Sequence, residues 1–379
     1  MLPSPVPDDM HSRLLSLAYS IADQDVVRTK SLGILNLSLQ LVEALSSRSE
    51  IQRLEVFSNS SLRQWHGRFA ERPVRRFDRA CATRLGRMLW DQSQVYAEAR
   101  KRGVEWLVLP KGFASFCRKP RIKLAAYVHD VIGDYFRRQY PGAVSRSEAW
   151  YFRQSLLATL RHSEVIFTNS DFTRRELVAL SERHGIRPSD IVVAGIGFHP
   201  VNVPPPFDRS RIVVLASPWP HKRTDLAVQF MTTWQRTTNF GGQIHWVGRF
   251  PSGLHQPSHP RWQYYERLDE LAYRSLLAES KAVVYFSEYE GFGMPPVEAV
   301  LNGACPVYSA IPATQEVMRG AGAPFENTSV ESFLAAVKKA LEMHAADLAS
   351  AGQCLLLRHK WSAVTDRIIG ALKAHSSSA

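Results

Sequence analysis

Sulfur is scarce in this chain of 379 residues, and what there is lies scattered: Cys81, Cys117, Cys305 and Cys354 form no C-x-x-C pair. That spacing argues against a zinc site or a disulfide framework and fits a reducing cytoplasm. Long apolar runs are missing as well, since none approaches the ~18 to 20 residues needed to span a bilayer. The first ten residues are proline-rich and carry Asp8-Asp9 in place of a basic stretch, so no signal peptide is expected. No internal repeat of solenoid period is visible. Acid is the charge in short supply: 35 Asp and Glu stand against 47 Lys and Arg, a net charge of +12. The bases do not interleave with aromatics as in RNA or DNA modules, so nucleic acid is not an expected partner.

The basic excess is concentrated. Arg68, Arg72, Arg75, Arg76, Arg79, Arg84 and Arg87 share one segment with Phe69, Phe77, Leu85, Met88 and Leu89. Such a pattern suits a basic amphipathic helix on an anionic membrane, and equally an ordinary solvated helix face. A second cluster, Lys111, Arg118, Lys119, Arg121 and Lys123, contains no acid.

What is plentiful is apolar residues, 45% of the chain, in strand-like and helix-like runs that alternate. The length exceeds one typical core and predicts two domains of roughly 150 to 200 residues. Gly195 to Pro206 holds too much proline for helix or central strand and marks the boundary. Leu14 to Tyr19 reads as a first strand, Gly33 opens an apolar-periodic segment through Leu45, and the stretch from Trp361 reads as a final amphipathic helix.

The most informative stretch is Glu290-Gly291-Phe292-Gly293-Met294-Pro295-Pro296-Val297-Glu298. Before it, Ala282 to Phe286 reads as a buried strand; after it, Pro295 to Leu301 reads as a helix entered through proline and closed by Asn302-Gly303. A strand, a Gly loop and a helix N-terminus make a cradle for phosphate, because glycine lets backbone come close and the helix start presents N–H groups. Carboxylates would repel phosphate, so Glu290 and Glu298 need hydroxyl partners. An arbitrary E-x7-E pair is a solvated turn far more often than a site. Here the surrounding residues, Phe286-Ser287-Glu288-Tyr289 before and Gly303-Ala304-Cys305-Pro306-Val307 after, resemble the donor-site signature of the family 4 glycosyltransferases, retaining enzymes of the GT-B fold.

That resemblance implies an α/β chain of two doubly wound Rossmann-like domains facing a cleft. Residues 1–200 would form the acceptor-binding domain, 201–355 the nucleotide-sugar-binding domain, and 356–379 a helix packing back on the first. Ser217-Pro218-Trp219-Pro220-His221-Lys222-Arg223 is similar to the family's basic loop on the donor diphosphate, with Lys222 as its main cation. The family's arginine six positions earlier is here Ala216, so a second cation must come from His221, Arg223 or Arg249, or be missing. His129-Asp130, delivered by the strand Lys123 to Val128, corresponds to a histidine facing the transferred sugar, with Asp130 as its orienter. Ser170, after the strand from Val165, is a ligand contact or simply a helix N-cap. Gly33 corresponds to a glycine loop near the donor, or to a plain turn residue.

The implied reaction is retaining transfer of a hexosyl unit from a nucleotide-sugar to a saccharide or lipid-pyrophosphate-linked acceptor in bacterial surface polysaccharide or lipopolysaccharide synthesis. Its main task is to stabilise the departing diphosphate. Glu290 and His129 would work at the sugar, Glu298 at the ribose, and Lys222, Gly291, Phe292, Gly293 and Met294 at the phosphates. Mannose from GDP-mannose is the first expectation; UDP- or dTDP-sugars, rhamnose among them, and a degenerate nucleotide-binding protein stay open. No metal or other cofactor is expected. The location implied is cytoplasmic, with peripheral contact at the inner face of the membrane.

Overall fold

The computed structural model describes residues 13–26, 32–201 and 210–376, so the N-terminal decapeptide and residues 202–206 of the proline-rich boundary lie outside the described residues. The chain divides into two compact units. One comprises Met1–Asp134, Ser145–Gly197 and Lys360–Ala379, the other Tyr135–Val144 and Phe198–His359.

In the first unit seven parallel strands stand in the order β3-β2-β1-β4-β5-β6-β7. They are β1 (Leu15–Ser20), β2 (Ile51–Ser58), β3 (Val74–Arg76), β4 (Trp106–Leu109), β5 (Lys123–Val128), β6 (Val165–Thr168) and β7 (Asp190–Val193). Central strands such as β4, with Trp106, Leu107 and Val108 all buried, are apolar on both faces, as a parallel sheet covered by helices requires. The helix Leu32–Ser46 packs on β2 and on the last helix, Trp361–Ser376. That last helix buries Trp361, Val364, Ile368, Ile369 and Leu372. Arg48 ties it down, donating to Thr365 Oγ1 at 2.9 Å and pairing with Asp366 at 2.6 Å.

The second unit has six parallel strands in the order β10-β9-β8-β11-β12-β13. These are β8 (Arg211–Leu215), β9 (Gln243–Val247), β10 (Trp262–Tyr265), β11 (Ser280–Tyr285), β12 (Cys305–Ser309) and β13 (Ala323–Phe325). The register runs Ala282 beside Ile212 and Cys305, which sets β11 at the centre. Helices Glu270–Ala278, Met294–Leu301 and Val330–Glu342 pack on this sheet. The core joins Val213, Val283, Leu276, Leu277, Ala299 and Ala304.

Two boundaries differ from the sequence expectation. The second unit begins at Phe198 rather than 201 and runs to His359 rather than 355. The reason is local pairing: the Phe198 amide donates to the His359 carbonyl at 2.9 Å, and both rings pack on Phe292. The ten residues Tyr135–Val144, expected in the first domain, belong to the second unit, where Tyr135 stacks on Tyr289 at 4.6 Å and Phe136 on Trp219 at 5.8 Å.

Candidate active site

An open parallel sheet binds its ligands beyond the carboxyl ends of its strands, where the strand order reverses. In the second unit that point lies between β8 and β11, and the loops leaving these two strands are joined there. The Glu288 amide donates to the His221 carbonyl at 2.7 Å, and Ser287 Oγ to the same carbonyl at 3.3 Å. Each loop is also braced from behind. Thr224 Oγ1 accepts from the Ser217 amide at 2.9 Å and donates to the Ser217 carbonyl at 2.8 Å. Ser309 Oγ accepts from the Ser287 amide at 2.9 Å, while Asn327 Nδ2 donates to the Ser287 carbonyl at 2.8 Å.

On this frame Lys222 and Glu290 meet as an ion pair. Lys222 Nζ also reaches Tyr285 Oη at 2.7 Å and sits 5.0 Å from the centre of that ring. Glu290 Oε1 accepts from Tyr285 Oη at 2.5 Å and Ser287 Oγ at 2.7 Å besides the ammonium. Burial pushes the Glu290 carboxyl up, but the Lys222 charge and these hydrogen bonds outweigh it and hold the carboxyl below its ordinary range. Burial and the neighbouring Glu290 drive the Tyr285 phenol well above its own. The result is an ionised carboxylate and an ammonium side by side at the switch point.

A second carboxylate, Glu288, anchors the other side of the loop pair. It pairs with Arg223 and accepts from Tyr135 Oη at 3.2 Å and from Tyr140 Oη. Arg223, left-handed at φ 43°, is held by Asp225 as well, at 2.9 Å. It is therefore engaged by two carboxylates rather than presented to a phosphate. His221 does not supply the missing cation either. Its ring is buried against Phe136 at 5.2 Å, and burial, with Lys222 next to it, pushes its pKa down to about 4. Arg249 is exposed and lies 3.4 Å from Glu266. All three candidate second cations are thus neutral or already paired.

The Gly loop behaves as its sequence requires at one residue. Gly293 precedes the helix Met294–Leu301 with φ 88° and ψ 62°, and a Cβ there would stand 2.8 Å from Thr314 Cγ2. The helix start carries fewer donors than expected, because Pro295 and Pro296 occupy its first turn and have no N–H. Of the four helix-start positions whose N–H is unpaired within the helix, only Gly293 and Met294 can donate to an anion. Glu298, one turn in, is half-buried, and burial pushes its pKa up to about 7 against the opposing charge of Arg274.

The first unit holds the remaining candidates. His129 is buried, and its Nε2 lies 2.7 Å from the Pro110 carbonyl, an acceptor only, so Nε2 carries the proton and Nδ1 is left as the acceptor. Burial pushes its pKa down to about 4, which makes it neutral at physiological pH. The Pro110 carbonyl is the orienter found for this ring; the Asp130 carboxylate accepts from the Ile132 amide at 2.9 Å at the start of the next helix. Ser170 is an N-cap, accepting from the Thr173 amide at 3.0 Å. Gly33 lies inside the first turn of the helix Leu32–Ser46, exposed and with open space around it, not in a loop.

Residues 261–353, which include Glu290 through Glu298, match the family Glycosyl transferases group 1. The chain carries a group 1 glycosyltransferase domain. No curated protein matches it by sequence. Among solved structures it is similar to a sucrose-phosphate synthase from Thermosynechococcus elongatus, at 16% identity over 96% of this chain and 100% of that one, with a TM-score of 0.66. Anabaena HepE in complex with UDP and glucose is similar at 16% identity over 95% and 100%, TM-score 0.65. WaaG, a glycosyltransferase involved in lipopolysaccharide biosynthesis, is similar at 11% over 93% and 99%, TM-score 0.65. At such identities the likeness is one of fold, the GT-B arrangement of two Rossmann-like units. The domain and the fold together support a glycosyltransferase.

Several residues around the transferase domain's ion pair were not singled out from the sequence: Tyr285, Ser287, Glu288, Tyr135 and Tyr140. The first three flank Glu290 closely enough to have been flagged; the two tyrosines bond Glu288 from 153 and 148 residues away in sequence, with no local signal. The arginine-rich segment is not one amphipathic helix. It comprises a 3₁₀ turn Ser60–Arg68, the strand β3, and the short helices Arg79–Ala82 and Arg84–Leu89. Phe69 is buried there while Leu85 and Leu89 are exposed, Arg68 pairs with Glu43, and Arg75 with Glu55. The acid-free cluster is partly neutralised by distant partners, Lys111 by Asp23 and Lys123 by Glu105. Among the described residues no helix is long and apolar enough to cross a membrane.

Proposed function

We propose that this glycosyltransferase is a retaining hexosyltransferase whose donor half is built on the Lys222–Glu290 pair. The observation that carries the reading is that pair's position at the β8/β11 switch point, with Tyr285 and Ser287 fixing the carboxylate. A nucleotide-sugar is complementary to it in two parts: its phosphate oxygens accept from Lys222, and its sugar hydroxyls donate to Glu290. Before binding, each residue neutralises the other; on binding, each exchanges part of that interaction for the matching half of the donor. Lys222, with the amides of Gly291 through Met294, then faces the charge that develops on the leaving diphosphate. Glu298 takes the ribose hydroxyls. Ala216, in the place of a second cation, leaves the backbone amides a larger share of that task. The donor proposed is GDP-mannose, and the acceptor a saccharide, free or lipid-linked.

The test is a thermal-shift screen against GDP, UDP, dTDP and ADP and their sugar conjugates. A ligand at 100 times its Kd should stabilise by about 2.7 kcal/mol. A selective shift that Lys222→Ala abolishes is the expected result and names the base. No shift with any nucleotide would overturn the donor-site reading; a shift with UDP or dTDP alone would replace GDP-mannose.

A further inference from the structure

On the loop that leads into Lys222 the second unit contains an open pocket of about 580 Å³. One wall is the segment 139–143, with Tyr140 and Pro141; the other is Pro218-Trp219-Pro220. This volume lies within the range of small-molecule sites. Its walls are mostly apolar and aromatic, yet nothing in the donor chemistry above uses them. Trp219 is braced from behind by Phe136, whose ring is stacked 5.8 Å away at 22°, and the prolines on either side restrict its backbone. The indole is thus held in one orientation before any ligand arrives. Tyr140 is equally constrained, its hydroxyl bound to Glu288, which also binds Arg223 of the Trp219 loop.

We propose that this pocket is the acceptor subsite, in which a pyranose ring stacks its C–H face on Trp219 between the proline walls. Rigid aromatic planes with polar groups at the edge suit a sugar, which is apolar on its ring faces and hydroxylated around its rim. An acyl chain would need no such fixed plane. The location favours an acceptor: Trp219 stands three residues before Lys222 on one short loop, and Tyr140 and Arg223 share Glu288. A sugar held there is a neighbour of the donor cluster rather than part of it. The assignment rests on the glycosyl-transfer reading for the word acceptor, though not for the binding of saccharide.

The experiment is saturation-transfer NMR of the full chain with methyl α-mannoside, methyl α-glucoside, methyl α-galactoside and octyl β-glucoside. Ring-proton saturation is expected with at least one glycoside, reduced at least fivefold in Trp219→Ala and largely retained in Trp219→Phe, which keeps an aromatic plane. A cooperative thermal transition and an unchanged far-UV circular dichroism spectrum, neither of which depends on a ligand, serve as the control for folding in both variants. Ring-proton signals unchanged in Trp219→Ala, no signal with any glycoside, or saturation of the octyl chain alone would each overturn the proposal, the last in favour of an acyl site. Saccharide contact at Trp219 in a protein that no nucleotide stabilises would uphold the pocket and overturn the transferase reading. With an active donor and acceptor in hand, Trp219→Ala should raise acceptor KM about tenfold, with a smaller change in donor KM.

Discussion

Glu298 shows most directly how a residue's surroundings translate into a measurable property. Burial raises its pKa to about 7, whereas in the unfolded chain it titrates as an ordinary carboxyl near ~4.3. Between those values the folded state holds a proton that the unfolded state has released, so stability falls as pH rises through that window, and the whole penalty is present above it. Glu298→Gln should therefore raise Tm more at pH 8 than at pH 5, while weakening the nucleotide-induced shift if the carboxylate accepts from ribose hydroxyls. Equal Tm changes at the two pH values would mean that the carboxylate is solvated. The Lys222–Glu290 pair obeys the opposite logic, since Glu290 is ionised by its partner. Removing Lys222 leaves a buried carboxylate without its cation, and Lys222→Ala should cost about 1–3 kcal/mol of stability besides its effect on binding.

At the scale of elements the proposed donor site is two strand-to-helix turns, and two of the candidate glycines, Gly293 and Gly33, differ in what their surroundings demand. Gly293 is left-handed and pressed against Thr314, so Gly293→Ala combines backbone strain with a clash and should destabilise by about 1–3 kcal/mol. Gly33 sits in a helix with open space, and Gly33→Ala should stabilise by about 0.5–1 kcal/mol. Urea unfolding of the two variants checks both signs. A gain at Gly293 would mean that the turn can relax, and a loss of activity in Gly33→Ala would restore Gly33 to the site. The strand, Gly loop and proline-entered helix around Glu290 were legible because each depends on neighbours in sequence. The arginine-rich segment was not: its apolar and basic residues fit a helix on paper, but Phe69 is buried, Arg75 pairs with Glu55, and β3 adds to the sheet edge.

On the scale of the whole chain, the last helix is part of the first unit's core, although the 162 residues Phe198–His359 of the second unit separate it from the rest of the first. Its buried side chains, Trp361, Val364, Ile368, Ile369 and Leu372, contribute on the order of 10 kcal/mol in burial alone, comparable to the net stability of a domain. Polar ties add to it: Lys123 Nζ donates to the His375 carbonyl at 2.9 Å, and Trp106 Nε1 to Ser376 Oγ at 2.9 Å. A chain ending at His359 should lose cooperative unfolding of the first unit, read by hydrogen exchange at β5 and β6, and unchanged protection there would refute this. The sequence by itself determined the alternation that makes two parallel sheets and the Gly-flanked carboxylate motif, because periodicity and turn chemistry act between near neighbours. Only the tertiary structure decided that Lys222 and Glu290 neutralise each other, that Arg223 is engaged by Glu288, and that Tyr135 and Tyr140 reach the site. Pairing of charges depends on which side chains share a buried space, and that is settled by the order of strands in the sheet.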